Sequence, residues 1–300
     1  ARPLADMANR LTILLNGKDE AAEFYRSTFF KIFCYVSYRI PEISDDLYRI
    51  DTAMSAGFGW DYGPFETWDM IGLKKGLEQM ESSGNKPAPW VYEMIGKGIE
   101  SFYKVKNGIK NYYDIETASF KPVPGYGSFI ILNHLRENKT VWSNEGTSII
   151  DIGDGVLDLE FQTKMNTMGS EVIQGLNKAI EIAEKDFRGL VIGNDGPNFS
   201  AGANLALLLM YAAEQEFDEI DLMVRTFQNA LMRAKYASVP IVGAQHGLTL
   251  GGGCELILHL DAVQAAAETY IGLVEFGVGL IPSGGGTKEM TLRASDRFEE

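Results

Sequence analysis

The stretch that decides the fold of this chain is HGLTLGGGCEL, at residues 246–256. It follows an apolar run at 240–244 that predicts a buried strand, and it leads into a helix predicted over 254–260. Three consecutive glycines before a helix reduce stability, because glycine loses the most conformational freedom on folding. They make sense where a backbone amide must point at a ligand with no side chain in the way. The spacing lacks the GxGxxG pattern of dinucleotide-binding turns, and it lacks a Walker lysine.

A second glycine-containing turn, FSAGANL at residues 199–205, lies between a predicted buried strand at 189–193 and a predicted helix at 205–213. Small residues at this junction let the backbone approach a ligand, and N–H groups at a helix start favour negative charge. Taken alone, the segment is typical of an ordinary tight turn. Two amides from separate turns can, however, converge on one oxygen atom and form an oxyanion hole. Each donor in such a hole typically contributes about 2.7–4 kcal/mol of transition-state stabilisation.

Two glutamates lie close to these turns in the sequence. Glu255 falls on the first helical turn after the three glycines, and Glu275 lies in the apolar stretch LVEFG at 273–277. A carboxylate in apolar surroundings is unfavourable unless it is paired or functional, and burial raises its pKa toward values useful for proton transfer. The alternative for Glu255 is an acid that complements the helix dipole, and for Glu275 an exposed loop acid.

The chain changes character near its middle. Residues 1–110 predict a helical domain, residues 111–140 a linker, and residues 141–300 an α/β domain. The first part predicts helices at 4–15, 21–40, 47–55 (with Ser44 as N-cap), 68–81 and 90–103, with only short, doubtful strands near Tyr112. The second part predicts strands at 148–152 and 156–161 around the hairpin turn Gly153-Asp154-Gly155, and helices at 168–185 and 219–235.

Charge and composition exclude several function classes. The net charge is −14, and residues 141–300 hold 10 Lys and Arg against 23 Asp and Glu, which argues against a nucleic-acid surface. No apolar run reaches the roughly 18 residues of a membrane span, and no secretory signal opens the chain. The isolated cysteines, Cys34 and Cys254, suit a reducing compartment and form neither a disulfide framework nor a zinc site. We therefore expect a cytoplasmic protein without a metal.

Residues from about 141 onward resemble the enoyl-CoA hydratase/isomerase (crotonase) family. The resemblance is carried by four elements in order: KMNTM at 164–168, the turn at 199–205, the stretch at 246–256 with Asp261, and Glu275 followed by GLIPSGGGT at 279–287. It implies a crotonase-like ββα spiral and hydration of trans-2-enoyl-CoA to 3-hydroxyacyl-CoA. By position, the oxyanion-hole amides would come from Ala203 and Gly252, and Glu255 and Glu275 would be the two catalytic acids.

The same resemblance places the acyl-CoA substrate against Lys164, Ala201, Gly202 and Gly251. Three positions depart from common family residues, Val274, Asn204 and Ser283, and they leave the acyl-chain specificity open. Family members continue for several helices beyond the final glycine cluster, so we expect the crotonase-like domain to be incomplete at Glu300. The alternatives are a Δ3-Δ2-enoyl-CoA isomerase, which one glutamate can support, and a non-catalytic acyl-CoA-binding or assembly module.

Residues 1–110 resemble the C-terminal helical domains of 3-hydroxyacyl-CoA dehydrogenases. The motif is IDTAMSAGFGWDYGPFE at 50–66, followed by Trp68-Asp69, and a packed aromatic turn would explain it in physical terms. Together the two resemblances imply the middle of a bifunctional fatty-acid β-oxidation protein that forms a homo-oligomer. None of the three histidines, His134, His246 and His259, lies in a context like that of a dehydrogenase. We therefore expect no cofactor in this chain, and NAD only in a separate dehydrogenase domain.

Overall fold

The structure is a computed structural model that describes residues 7–298, except for the side chain of Ser128. By its contacts the chain divides into two compact units, Ala1–Phe129 and Ile130–Glu300. We call them the amino-terminal unit and the carboxyl-terminal unit and describe each by itself.

The amino-terminal unit combines helices with a small antiparallel sheet of strand order β1-β2-β3. Its core is aromatic: the Trp68 ring stacks on Phe33 at 5.2 Å between centroids and meets Phe102 edge-on at 5.0 Å. The described elements are α1 (Met7–Asn16), α2 (Glu20–Tyr38), α3 (Leu47–Phe58), α4 (Pro64–Ile71), α5 (Leu73–Ser82), α6 (Pro89–Gly96), β1 (Tyr103–Lys106), β2 (Ile109–Asp114) and β3 (Ser119–Pro122).

Three local predictions differ from this structure, and a fourth extends beyond the described residues. The N-cap of α3 is Asp46, not Ser44. The helix predicted at 68–81 is two helices, because Gly72 has φ +94° and interrupts the helical conformation between α4 and α5. The helix predicted at 90–103 ends at Gly96, and Gly98 at φ +78° turns the chain toward β1. The predicted helix at 4–15 is described only from Met7 onward.

Residues 111–140, which we expected to be a linker, contain regular structure. They hold the end of β2, all of β3, a 3-10 helix at Tyr126–Ser128 and the first helix of the carboxyl-terminal unit, Leu132–Lys139. Side chains at Tyr112 and Tyr113 are buried in the aromatic core of the amino-terminal unit, which explains why β2 folds as part of that unit.

The carboxyl-terminal unit is an α/β fold. Its main sheet has the strand order β10-β8-β7-β6-β5-β4, in which β4, β5 and β6 are antiparallel and β6, β7, β8 and β10 are parallel; a second, two-stranded parallel sheet pairs β11 with β9. The described elements are α7 (Leu132–Lys139), β4 (Thr140–Ser143), β5 (Thr147–Gly153), β6 (Val156–Phe161), α8 (Ser170–Asp186), β7 (Gly189–Gly193), α9 (Leu205–Glu214), α10 (Phe217–Lys235), β8 (Ile241–Ala244), β9 (Leu248–Leu250), α11 (Gly252–Leu258), β10 (Ala262–Val263), β11 (Tyr270–Gly272) and α12 (Gly286–Phe298).

Side chains alternate between the two faces of the sheet along β6, and this alternation determines which face α8 and α10 cover. Leu157, Leu159 and Phe161 join the hydrophobic core with side chains of α8 and α10. Asp158 and Glu160 point to the opposite face, because successive side chains of a strand alternate. The predicted strands at 148–152, 156–161 and 189–193 match β5, β6 and β7. Among the helices of residues 7–298, none is both long and apolar enough to cross a membrane.

Candidate active site

Hydrogen bonds between backbones bring the two glycine turns together. The N–H of Ser200 donates to the carbonyl oxygen of Leu248 at 3.0 Å, and the N–H of Leu250 donates back to Ser200 at 2.9 Å. On the other side, the N–H of Met168 donates to the carbonyl oxygen of Gly202 at 2.8 Å. Three segments distant in sequence therefore lie side by side.

The amides of Ala203 and Gly252 are both available for a ligand. Within residues 7–298 neither N–H donates a hydrogen bond to the protein. Ala203 immediately precedes Asn204, the N-cap of α9, whose side chain accepts from the N–H of Ala206 at 3.2 Å, and Gly252 is the first residue of α11. A Cβ atom on Gly202, which has φ +89°, would lie 3.4 Å from the Gly252 nitrogen and 2.9 Å from the Leu250 oxygen. The close approach of these turns therefore requires glycine at 202.

Glu255 is buried, with 2% of its surface exposed. One of its carboxylate oxygens accepts the N–H of Gly286 at 2.9 Å, at the start of α12. Burial raises the pKa of Glu255, the amides of residues 284–286 oppose this rise, and the charge of Glu275 adds to it. Glu255 therefore lies in the first turn of α11, as expected for an acid that complements the helix dipole. Its carboxylate also lies at the start of α12, near the second carboxylate, that of Glu275.

Glu275 is half-buried at the start of a 3-10 helix, Glu275–Val278. Strand β11 brings it to the site, because the N–H of Gly251 donates to the carbonyl oxygen of Gly272 at 2.9 Å. A Cβ on Gly251 would lie 3.3 Å from the Oε1 of Glu275. Its Oε2 is buried and has no hydrogen-bond partner in the described part of the chain. A carboxylate with one oxygen unpartnered beside the glycine turn is a group able to bind a water molecule or exchange a proton.

The residues predicted to contact substrate lie along the same segments. Lys164 is exposed and begins a 3-10 helix, Lys164–Asn166. The N–H of Ala201 donates to the carbonyl oxygen of Met165 at 3.1 Å, which joins the lysine's segment to the first turn. Gly202 and Gly251 are buried at the point where the two turns meet. The neighbouring Cys254 is not a nucleophile, because burial and the two glutamates raise the pKa of its thiol to about 11.

Sequence reasoning missed three contributors to the site. Gly284, Gly285 and Gly286 supply the amides that hold Glu255; the motif was noticed but had no assigned role. Phe227 of α10 fills the space between the two glycine regions, because its ring lies 3.3 Å from a Cβ built on Gly252 and 2.4 Å from one on Gly284. His259 contacts the backbone of Glu255 and was considered only as a dehydrogenase residue. Only the glycine run was visible in the sequence as a signal.

A metal site is not formed by the described residues. Between residues 7 and 298, no group of three or more His, Cys, Asp or Glu side chains is arranged to hold a metal ion.

Comparison with known proteins identifies both units. Residues 151–297 match the family model for enoyl-CoA hydratase/isomerase, and residues 42–117 match the 3-hydroxyacyl-CoA dehydrogenase C-terminal domain. A "Probable 3-hydroxyacyl-CoA dehydrogenase" from Bacillus subtilis is 44% identical over 94% of this chain and 36% of its own length. A "Putative fatty acid oxidation complex trifunctional enzyme" from Rickettsia felis is 31% identical over 95% of this chain and 37% of its own length. The chain thus spans just over a third of the length of these curated relatives.

Among solved structures, an enoyl-CoA hydratase from Polaromonas sp. JS666 aligns with 48% of this chain and 56% of its own, at 26% identity and a TM-score of 0.45. The family prediction and the predicted fold class, a helical dehydrogenase C-terminal-like domain followed by an α/β crotonase-like domain, are confirmed. Residues 151–297 therefore belong to the enoyl-CoA hydratase/isomerase family, and in this chain they follow a 3-hydroxyacyl-CoA dehydrogenase C-terminal domain.

Proposed function

We propose that the carboxyl-terminal unit adds water to trans-2-enoyl-CoA and produces 3-hydroxyacyl-CoA. The observation that carries the proposal is the meeting of two carboxylates, Glu255 and Glu275, beside the two unpartnered amides of Ala203 and Gly252. An isomerase needs one proton-transferring acid, whereas addition of water benefits from two groups that hold the water. The pair therefore favours hydration.

The amides would act on the thioester carbonyl. When the oxygen of water attacks the β-carbon, electron density moves through the double bond onto the carbonyl oxygen and gives an enolate. Two N–H groups fixed by the turns, those of Ala203 and Gly252, would donate to this oxygen and stabilise its developing charge. The donors are fixed before reaction, because both backbones are tied to neighbouring strands.

The glutamates would handle the protons. Glu255 and Glu275 would hold one water molecule against the β-carbon, which makes the attack a local event rather than a bimolecular encounter. Glu275 takes a proton from that water as the water oxygen bonds to the β-carbon, and it then delivers this proton to the α-carbon, so that both carboxylates return to their starting state. The raised pKa of Glu255 brings its ionisation closer to neutral pH, where proton transfer is most effective.

The rest of the thioester would lie along the segments that join the turns. Lys164 would contact the CoA nucleotide, because its exposed ammonium group can bind phosphate in an otherwise acidic unit. Ala201, Gly202 and Gly251 would contact the pantetheine and thioester, where only small residues allow a close approach.

In the longer protein, the product would pass to a dehydrogenase. A 3-hydroxyacyl-CoA is the substrate class named by the domain that residues 42–117 match, and the Bacillus subtilis relative carries the same dehydrogenase name. We propose that the whole protein performs these two consecutive steps of fatty-acid β-oxidation, and that NAD binds outside this chain.

The test is crotonyl-CoA hydration by the full-length protein, followed as loss of absorbance of the enoyl thioester. Glu275→Gln should lower kcat by about 10³-fold while CoA binding is kept. Glu268→Gln, an exposed glutamate in the same unit, is the matched control and should behave as wild type. Full activity of Glu275→Gln would contradict the proposal. Conversion of a 3-enoyl-CoA without hydration would indicate the isomerase, and binding without turnover the non-catalytic module.

A further inference from the structure

His259 is a buried histidine that the hydration chemistry does not use. It ends α11, the seven-residue helix that carries Glu255, and 2% of its surface is exposed. Its Nδ1 lies 2.7 Å from the carbonyl oxygen of Glu255. Since a carbonyl oxygen can only accept a hydrogen bond, Nδ1 carries the proton and donates it.

This hydrogen bond replaces one that the helix lacks. In a regular α-helix the carbonyl of Glu255 would accept the N–H four residues later, which is that of His259. Here the His259 N–H turns back to Leu256 at 3.0 Å, because the last turn tightens. The carbonyl of Glu255 therefore lacks its usual α-helical donor, and the imidazole supplies a donor from the side.

The other edge of the imidazole touches the loop that holds the Glu255 carboxylate. A Cβ atom on Gly285 would lie 3.3 Å from both Cε1 and Nε2 of His259. The ring therefore packs against the backbone between Gly284 and Gly286, whose amides bind the carboxylate. His259 thus contacts both parts of the arrangement around Glu255, the main chain that carries the side chain and the loop that supplies its hydrogen-bond donors.

Charged groups surround Nε2 on the side of α12 and α10. The Oε1 of Glu289 lies 3.5 Å from Nε2, and Nε2 has no hydrogen-bond partner among residues 7–298. Glu289 is itself bound by Lys235 and Lys288, each at 2.8 Å; burial opposes its ionisation, but these lysines lower its pKa to about 2. Burial lowers the pKa of His259, the charge of Glu289 opposes this, and the two lysines add to it. The ring is therefore neutral near pH 7, with Nδ1 protonated.

We propose that His259 is a positioning residue for Glu255, which it holds through its Nδ1–H bond to the Glu255 carbonyl and its contact with Gly285. This inference rests on the proposed hydratase function and adds to it a residue that touches neither substrate nor water. It predicts that the donor at Nδ1 is the required group, rather than the volume of the ring or the nitrogen at Nε2.

Three substitutions separate these features in the full-length protein. Asn places an amide N–H where Nδ1 is, Gln places one near Nε2, and Leu keeps apolar volume without a donor. His259→Asn should keep kcat for crotonyl-CoA hydration within about threefold of wild type. His259→Gln and His259→Leu should lower kcat by about 10- to 100-fold, with KM within about twofold, because a small displacement of a catalytic group has effects of this size.

Hydrogen–deuterium exchange provides a readout that does not depend on turnover. Amides of residues 284–286 should exchange about tenfold faster in His259→Gln than in wild type or His259→Asn, while exchange in the β5–β6 hairpin, which reports folding, stays unchanged. Wild-type kcat and exchange in His259→Gln would overturn the inference, and so would an Asn variant as impaired as the Leu variant. If His259→Leu does not fold, the Asn and Gln pair still decides. If the wild-type protein does not hydrate crotonyl-CoA, the proposed function fails, and the exchange data still test the positioning.

Discussion

Two buried carboxylates, Asp51 in the amino-terminal unit and Glu255 in the carboxyl-terminal unit, hold helix starts in similar ways but have different neighbours. Asp51 accepts the N–H groups of Phe65 and Glu66, at the start of α4, at 2.9 and 3.1 Å. Glu255 accepts the N–H of Gly286 at the start of α12. Each is pressed against a glycine: a Cβ on Gly63 would lie 2.3 Å from the Cα of Asp51, and one on Gly284 would lie 2.5 Å from an oxygen of Glu255.

The third neighbour makes the difference. The Asp51 carboxylate also accepts the hydroxyl of Tyr103 at 2.8 Å, so three donors surround it. The carboxylates near Asp51 have partners of their own, because Glu66 pairs with Lys110 and Asp69 accepts two backbone N–H groups. Beside Glu255 the second carboxylate is Glu275, which has an unpartnered oxygen, and two amide donors nearby are also unpartnered. A carboxylate whose oxygens are all bound by its own unit stabilises that unit. The same arrangement next to a second negative charge and to amide donors without partners is suited to bind a ligand.

The largest expected effects come from a matched pair of alanine substitutions. Glu255→Ala should lower crotonyl-CoA hydration by about 10³-fold and lower the free energy of unfolding by only about 1 kcal/mol, because relief of burial and of repulsion from Glu275 offsets the lost hydrogen bonds from residues 284–286. Asp51→Ala should leave hydration within about threefold and lower the free energy of unfolding by about 3 kcal/mol, because three donors lose their acceptor. Urea unfolding followed by tryptophan fluorescence measures the second effect, since three of the four tryptophans, Trp60, Trp68 and Trp90, lie in the amino-terminal unit. Equal losses of stability in the two variants would contradict the distinction between a carboxylate that stabilises its unit and one that serves the site.

The next effect tests the unpartnered amides. Gly202→Ala should lower kcat/KM by about 10²- to 10³-fold, because the added Cβ would press on the Leu250 oxygen and displace the turn that positions Ala203 and Gly252. Gly153→Ala is the control: Gly153 also has a positive φ, +97°, but a Cβ there meets nothing within 4 Å. Both variants carry similar backbone strain, so only the first should lose activity. A comparable loss in both would attribute the effect to strain rather than to the oxyanion hole.

The elements around Glu255 also show which features can be predicted from the sequence and which cannot. The strands β5, β6 and β7 and both glycine turns were predictable, because alternation, turn residues and glycine runs are local patterns. The roles of Glu255 and Glu275 were inferred from the order of motifs along the chain. That Gly286 holds Glu255 was not predictable, because a hydrogen bond between residues 31 positions apart depends on the tertiary fold.

The amino-terminal unit teaches the same lesson about its sheet. A helix was expected to reach residue 103 and a linker to begin at 111, with only short, doubtful strands near Tyr112, yet Tyr103 pairs with Tyr112 in neighbouring strands. The consecutive side chains of Tyr112 and Tyr113 enter an aromatic core to which helices α2 and α4 also contribute, and Tyr103 completes the set of donors around Asp51. Short strands whose stability comes from packing against distant helices have a weak signal of their own.

The pH dependence of stability is the third effect. Burial raises the pKa of Asp51 to about 7, against its hydrogen bonds, and burial raises that of Asp69 to about 7 as well. Both values are above the ordinary value of 3.8, so the folded unit binds protons that the unfolded chain releases. The contribution of these two carboxyl groups to the free energy of unfolding is complete below about pH 4 and is lost as the pH rises through 7.

The free energy of unfolding of the amino-terminal unit should therefore fall by about 5 kcal/mol between pH 5 and pH 8, with about half from each of the two carboxyl groups. Urea titrations at several pH values measure it, and Asp51→Asn, which cannot ionise at this position, should remove about half of the dependence. Stability that rises over this range would show that the three donors keep Asp51 charged, which would make the two capping carboxylates more alike than we infer.

The smallest expected effect tests whether a buried carboxyl oxygen without a hydrogen-bond partner is by itself evidence of a functional site. The Oδ2 of Asp158, on β6, is buried without a hydrogen-bond partner among the described residues, as the Oε2 of Glu275 is. Burial raises the pKa of Asp158 well above its usual value, and the nearby charges of Glu160 and Asp195 add to this, so the site favours the neutral acid. Asparagine is nearly isosteric with that acid.

Asp158→Asn should therefore change the free energy of unfolding by less than about 1 kcal/mol and hydration by less than about twofold. Glu160→Gln, two residues along the same face, is the matched control, because it breaks the ion pair with Arg136 and should cost about 3 kcal/mol. A large loss of hydration in Asp158→Asn would mean that an orphan carboxyl oxygen marks the site wherever it occurs. The expected result would restrict that meaning to carboxylates such as Glu275, which lie beside unpartnered amides and a second acid.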